Sequence, residues 1–369
     1  MPIVDARKYL RVYSVRNYLQ KSLKLETTQA RISRMVLCGL ATSVPLFVGL
    51  ALGYPTSGIY GALIGYFLTL NDHFGPIKHR VIVLTLTFLM ILSGASLGIL
   101  LGGQPITYSL VLAVLVYWIG LMGGEGAELE RAILFATIEM IVTYYSPSFS
   151  VSRLPPILGF SLMGYVFVTG AAVVHSRLSK KPPESFARLT DSLKGPLASP
   201  EERHLHALSY MIITMLSLCL VDYYEIQRGY WAVITVLLVM KPGRRNSLNR
   251  SFQRFFGTGL GVIATEPLIY VIKTPAPIML LIGLCSALVP WASKKNYWLT
   301  SVLTSMVVIL LLDLAAVERG DFLTPLLRLE NTIIGCLLGA GGVLISKLLS
   351  EALLAWRRRR QSLNVHAEK

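Results

Sequence analysis

Apolar runs broken by short polar, glycine-bearing or proline-bearing turns recur through most of the chain. A helix rises about 1.5 Å per residue, so about 20 apolar residues cross the roughly 30 Å hydrocarbon core of a bilayer. Twelve runs approach that pattern: residues 35–53, 58–70, 81–101, 106–122, 132–145 and 154–174, then 207–221, 229–240, 257–272, 277–292, 297–312 and 330–349. The expected fold class is all-α integral membrane, with about twelve transmembrane helices. Composition agrees, since only 15% of residues are charged, against about 25% in an ordinary soluble domain.

The polar stretches divide the chain. Residues 1–34 form a basic N-terminal segment in which Val12, Val15, Leu19 and Leu23 recur at helical steps between Arg11, Arg16, Lys21 and Lys24. Such a stripe fits a helix lying on anionic membrane lipids, and a solvated basic arm has the same composition. Residues 35–175 and 207–350 are two membrane units, and residues 351–369 a basic tail containing the Arg357–Arg360 run. Residues 176–206, with Lys180, Lys181, Pro182, Pro183, Gly195, Pro196 and Pro200, read as a cytoplasmic linker. The first apolar run follows a long basic stretch and precedes no small-residue cleavage pattern, so it is expected to remain in the protein.

A net charge of +15 raises the question of nucleic acid. With the N-terminus inside and twelve crossings, every Lys and Arg except Arg153, Arg228, Lys273, Arg319 and Arg328 falls on the inner side. That is the bias of a membrane topology with both termini cytoplasmic. It leaves no excess for nucleic acid to explain.

The two units echo each other. Gly58, Tyr60 and Gly61 open the second run and Arg80 follows Tyr60 by 20 residues, while Gly229, Tyr230 and Trp231 open the eighth and Arg250 follows Tyr230 by 20. Arg153 precedes Gly159 by six as Arg328 precedes Gly335 by seven. The expectation is two six-helix repeats in parallel orientation, related by a pseudo-twofold axis along the membrane normal. The second and eighth runs are also the shortest, at 13 and 12 residues. Paired short segments point to a transporter's cavity; flanking charge that truncates the run gives the same count.

Enzyme motifs are missing: there is no HExxH, P-loop, GxSxG or clustered Cys/His. Cys38, Cys219, Cys285 and Cys336 lie singly in different runs, and His204 and His206 diverge on a helix. The reading is of a non-enzyme with no metal and no cofactor.

The stretch Gly229-Tyr230-Trp231-Ala232-Val233-Ile234-Thr235, followed by Met240-Lys241-Pro242, Arg250, Arg254, Gly257-Thr258 and Gly261, closely resembles the signature of the FUSC family. Arg328-Leu329-Glu330-Asn331-Thr332-Ile333-Ile334-Gly335 resembles that family's last-helix pattern, with Asn331 where an acid is more usual. The resemblance covers roughly residues 207–349 and is loose in the first unit, where Gly61 replaces the aromatic. It implies a multi-pass protein of the bacterial inner membrane that exports aromatic or other organic anions. Plant malate channels are distant relatives of the family.

An aromatic carboxylate asks for a flat apolar slot and a donor-rich cationic end. Tyr230, Trp231 and Thr235 are candidates for the slot, Arg250 and Arg254 for a guanidinium fork, and Lys241 for a mobile counter-charge, with Tyr60 and Arg80 in the first unit. Equally, aromatics at a span end anchor interfaces and loop cations satisfy topology. Glu139, Asp72 and Glu266 lie within or beside apolar runs, where an isolated charge costs about 2.5–3.5 kcal/mol. They are candidates for proton coupling, or for ion pairs that fold the bundle. Pro267 is expected to break the helix after Glu266.

Three functions stay open on these residues: an exporter of organic anions, above all aromatic carboxylates, with or without proton coupling; an anion channel or uniporter; and a membrane scaffold subunit that moves nothing. The expected partners are a small organic anion and membrane lipids, and a homo-oligomer is compatible with the chain.

Overall fold

A computed structural model describes residues 22–28, 30–73, 75–123, 127–145, 154–178, 201–242, 244–272, 274–316 and 324–367. Among the described residues there are twelve helices longer than one turn and no strand: α1 Ile32–Ala51, α2 Pro55–Asn71, α3 Ile77–Leu100, α4 Pro105–Met122, α5 Ala127–Tyr144, α6 Leu154–Leu178, α7 Glu201–Tyr223, α8 Tyr230–Val239, α9 Arg244–Val271, α10 Pro275–Lys295, α11 Tyr297–Ala316 and α12 Thr324–Ala367. Residues 1–21, residues 179–200 of the linker, and Arg153 lie outside the described residues.

Among the described residues, seven helices are long and apolar enough to cross a membrane: α1, α3, α4, α6, α7, α10 and the Pro325–Ala352 part of α12. The remaining five are shorter or more polar, and position explains most of the difference. Large exposed hydrophobic side chains line α1, α3, α4, α6, α7, α9, α10 and α12, whereas none of those described lies on α2, α5, α8 or α11. These four are the inner helices. A helix walled by protein needs neither full apolarity nor full bilayer length, because its polar groups find partners within the bundle. α8, with ten residues, spans only about 15 Å.

Two helices run beyond their apolar segments. α9 starts at Arg244 with a polar stretch and continues through Pro267 to Val271, so the expected break after Glu266 does not occur. Proline deletes one backbone bond and crowds the preceding turn, a defect that a long packed helix absorbs. α12 carries on through Arg357–Arg360 to Ala367, making the basic tail a continuation of the last helix.

The helix pairings recur with an offset of six. α3 packs on α5 as α9 packs on α11, α2 on α6 as α8 on α12, α1 on α6 as α7 on α12, and α4 on α5 as α10 on α11. The contacts between the two sets also exchange: α1 meets α10 while α7 meets α4, and α2 meets α11 while α8 meets α5.

Glycine sets the closest approaches. A Cβ on Gly335 would meet Ala232 O at 2.6 Å, and one on Gly164 would meet Gly61 O at 2.5 Å, so Gly164 of α6 occupies the place of Gly335 of α12. Gly159, which spacing alone pairs with Gly335, has nothing within 4 Å.

Part of the basic N-terminal segment is tied down. Asn296 Nδ2 donates to the carbonyls of Ser22 and Lys24, Gln253 Nε2 to Ser22 O, and Trp298 Nε1 to Leu23 O. Ser22, Leu23 and Lys24 thereby lie against Gln253 of α9 and the α10–α11 junction.

Candidate functional site

Among the described residues, two arginines are buried without a carboxylate. Arg254 on α9 and Arg328 on α12 are each 2% exposed. Nε and Nη2 of Arg254, and Nε and Nη1 of Arg328, have no hydrogen-bond partner. A guanidinium stays charged at any physiological pH, so the site carries two buried positive charges.

The local structure explains how each is placed. Gly335 lets α12 lie directly on α8 at Ala232 and Thr235, which brings Arg328 over the Trp231 ring, 3.7 Å from its centroid. That contact is a cation–π stack. Arg254 rises on α9 from the opposite end of the bundle, and Gly257 packs α9 onto Ser301 and the Trp298 carbonyl of α11. α9 and α12 pack directly on each other.

Polar atoms surround the pair. The Asn331 side-chain amide donates to Gln227 O at 3.1 Å and Leu327 O at 2.8 Å, leaving Oδ1 unpaired. Ser301 Oγ is also buried and unpaired, while Thr258 accepts from Ser305 at 3.2 Å. Tyr66 OH and Thr304 Oγ1 lie 3.1 Å apart, joining α2 to α11. Thr235 is fully buried, but its hydroxyl donates to Trp231 O at 2.8 Å.

An aromatic file leads away from the arginines. Trp231 is buried at 8% exposure, with the Tyr230 ring 5.1 Å from it, and Tyr230 stacks on Tyr145 at 5.7 Å. Tyr145 OH donates to Asp222 Oδ1 at 2.7 Å. Beside these rings opens a cleft of about 410 Å³, lined by Tyr145, Val221, Asp222, Glu225, Ile226, Arg228, Gly229 and Tyr230. Its floor turns sharply: Glu225 at φ 47° and Arg228 at φ 53° adopt the left-handed conformation that non-glycine residues rarely take. Such strain clusters where a loop must hold one shape.

Other candidates named from the sequence have different surroundings. Arg250 stacks over the Tyr297 ring at 4.0 Å and does not form a fork with Arg254. Lys241 pairs with Glu130 of α5 at 3.0 Å, and Ser247 clamps its main chain at both N and O. Arg80 grips both oxygens of Asp72, at 2.9 and 2.5 Å, and also donates to Ala172 O and Ser176 Oγ. That bidentate pair places Asp72 and Arg80 together in a closed interaction. Tyr60 is half-buried on α2.

The acidic candidates separate clearly. Glu266 is exposed on α9. Glu139 is 6% exposed on the inner helix α5, one turn beyond Phe135, whose ring stacks on Phe67 of α2 at 4.6 Å. Among the described residues no cation pairs with the Glu139 carboxyl, and no cluster of three His, Cys, Asp or Glu fit to hold a metal is present.

Sequence reasoning named Arg254, Trp231, Tyr230 and Thr235 but passed over Arg328 and Asn331 as site residues. Two signals pointed to Arg328: it is one of the five cations off the basic side, and it heads the last-helix motif. Each was read as topology or packing because its distance from Trp231 in sequence hid their contact.

Residues 215–341 match the model of a family described as fusaric acid resistance protein-like. The chain is 28% identical over 130 residues to an uncharacterized protein of Haemophilus influenzae, covering 35% of this chain and 18% of that one. It is 30% identical over 149 residues to the uncharacterized protein YhfK of Escherichia coli K12, covering 40% of this chain and 20% of that one. The matched region thus spans about a fifth of the length of these curated relatives. No solved structure matches. The region that matches contains Arg254, Arg328, Trp231 and Asn331, and it is this part of the chain that is similar to the fusaric acid resistance protein-like family.

Proposed function

We propose that the protein is a membrane transporter that expels organic anions, aromatic carboxylates foremost, through a site centred on Arg254 and Arg328. The observation that carries this reading is a pair of buried guanidiniums with four unpaired N–H nitrogens and no carboxylate partner. Burying unpaired charge is costly, and an arginine fork satisfied by a transient carboxylate recovers part of that cost. Trp231 and Tyr230 supply flat apolar surface next to the charge, and the cleft beside Tyr230 offers a route to it.

In this reading the aromatic end of α8 faces the outside and the Lys241 end the cytoplasm, as the positive-inside rule requires. A membrane potential negative inside then favours expulsion of a monovalent anion by about 2.3 kcal/mol per 100 mV. Glu139 is the proton-carrying candidate. Coupling adds to a gradient the potential already provides, so it is a separate question from anion passage.

The test is flux of a benzoate-like acid in vesicles containing the purified protein. Arg254→Gln and Arg328→Gln should each lower flux at least tenfold. Wild-type flux in both variants would remove the arginine site. Flux that ignores pH and survives Glu139→Gln would discard coupling through Glu139 while leaving the anion site standing.

A further inference from the structure

Ser22 and Leu23 are helical, and the chain leaves the helix at Lys24. The last carbonyls of a helix have no partner within it. Here three successive ones are taken by side chains more than 200 positions away. Gln253 Nε2 of α9 donates to Ser22 O at 2.7 Å, Asn296 Nδ2 donates to Ser22 O at 2.9 Å and to Lys24 O at 2.8 Å, and Trp298 Nε1 of α11 donates to Leu23 O at 3.1 Å. In return the Glu26 amide donates to Lys295 O at 2.9 Å. The cradle reads main chain and not side chains.

Asn296 is its hub. Its Oδ1 accepts from Trp298 N at 3.2 Å, which caps the start of α11, and from Gln253 Nε2 at 2.8 Å, while its Nδ2 holds the N-terminal segment. The same side chains fix the stretch of α9 that carries the buried arginine. Gln253 directly precedes Arg254, and Gly257 seats α9 on the carbonyl of Trp298. From Glu26 the chain runs on to α1 at Ile32, the first helix of the other unit. Residues 22–26 thus tie the first unit to α9 and to the α10–α11 junction of the second.

The tie is built to release. All of its donors are neutral, and such bonds give way to water at little net cost. The exposed Lys24 and Lys294 add like charge at the same end of the bundle. Repeats that rock about a central site must open each end in turn, so a tether across one end slows the cycle.

We propose that residues 22–26 are an autoinhibitory latch: docked on Gln253, Asn296 and Trp298, they hold α9 to the α10–α11 junction and to the first unit, and restrain the opening through which an anion reaches Arg254 from the cytoplasm. This rests on the reading of the protein as an exporter of organic anions.

Two variants loosen the latch by different amounts. Asn296→Asp keeps the oxygen that caps α11 and replaces the donor to Ser22 and Lys24 by a second oxygen. Trp298→Phe removes only the bond to Leu23 and keeps an aromatic ring beside Phe256. Hydrogen–deuterium exchange of the Glu26 amide in the purified full chain reads docking, and benzoate flux in vesicles reads restraint. Asn296→Asp should speed exchange at least tenfold and raise flux at least threefold, and Trp298→Phe should move both in the same direction by less. A contact that only supports the fold would lower flux when loosened. Faster exchange with flux unchanged or reduced therefore overturns the latch and leaves the exporter standing. Exchange unchanged in both variants also overturns it, because these donors would then not hold the segment. If neither wild type nor variant carries benzoate, the export reading falls and the latch falls with it.

Discussion

At the scale of single residues, the arginines divide by whether the chain supplies their counter-charge. Arg80 and Asp72 are both 2% exposed and bonded through two oxygens. Removing one partner strands the other, a loss of about 3–5 kcal/mol, whereas replacing both by apolar residues of similar size is often nearly neutral. Arg80→Ala should therefore lower the thermal midpoint in detergent sharply, and Arg80→Met with Asp72→Leu should recover most of it. Equal damage from the single and double variants would mean that the site tolerates no apolar pair. His73, in the turn after α2, gives a second residue-scale expectation. Burial, then the charges of Arg131 and Arg34, bring its imidazole from 6.5 down to about 4, and the neutral ring accepts from Arg131 Nη2 at 2.7 Å. The unfolded chain binds the proton near pH 6.5 and the folded one only near 4, so this contribution is complete above about 6.5 and fades as pH falls toward 4. The midpoint of wild type should drop over that window more steeply than that of His73→Gln. Parallel curves would show that His73 carries no such linkage. What was legible at this scale was residue type more than partner. Arg254 stood out by its motif, but the ion pair between Lys241 and Glu130 joins residues 111 apart, and nothing in either neighbourhood announces it.

At the scale of helices, periodicity located all twelve elements and misjudged what ends them. Apolar counting began the ninth run at residue 257, yet α9 starts at Arg244, since a polar turn is helical as readily as an apolar one when its carbonyls are bonded. The pairing of short runs was also only half-realised: α8 has ten residues, while α2 reaches 17 because Pro55 starts it early. Repeat matching by motif selected Gly159, and packing selects Gly164. Their substitution separates the two readings. Gly164→Val drives a side chain into the Gly61 carbonyl of α2, an overpacking worth about 1–3 kcal/mol or more, and Gly335→Val does the same to Ala232 and Thr235 of α8. Gly159→Ala meets open space. Both valine variants should lower the midpoint by several degrees, and Gly159→Ala should leave it within a degree of wild type. A harmful Gly159→Ala with a harmless Gly164→Val would restore the pairing read from spacing.

At the scale of the whole molecule, the six-helix offset in packing implies two units that touch mainly through exchanged contacts, and α5 makes several of the most specific ones. One end of α5 presents Glu130 to Lys241 of the second unit at 3.0 Å. The other presents Tyr145, which stacks on Tyr230 and donates to Asp222 at 2.7 Å. Parallel repeats that transport by alternating access rock against each other about a central site, so each end must open in turn. Under the transport function proposed above, the Glu130–Lys241 contact closes one end, with Glu130 7% and Lys241 31% exposed at their side chains. A closure of this kind depends on opposite charge and not on which helix supplies which sign. Lys241→Glu should set two carboxylates together, force that end apart, and reduce flux of a benzoate-like acid several-fold. Adding Glu130→Lys restores attraction with the signs exchanged and should return flux to within about twofold of wild type. Ser247, which holds the Lys241 main chain at both N and O, stays in place throughout, so the side chain is presented from the same backbone position. If the exchanged pair transports no better than Lys241→Glu alone, attraction between these two residues is not what closes that end, and the rocking motion must be sought at the aromatic end, where Tyr145→Ala would be the variant that changes flux.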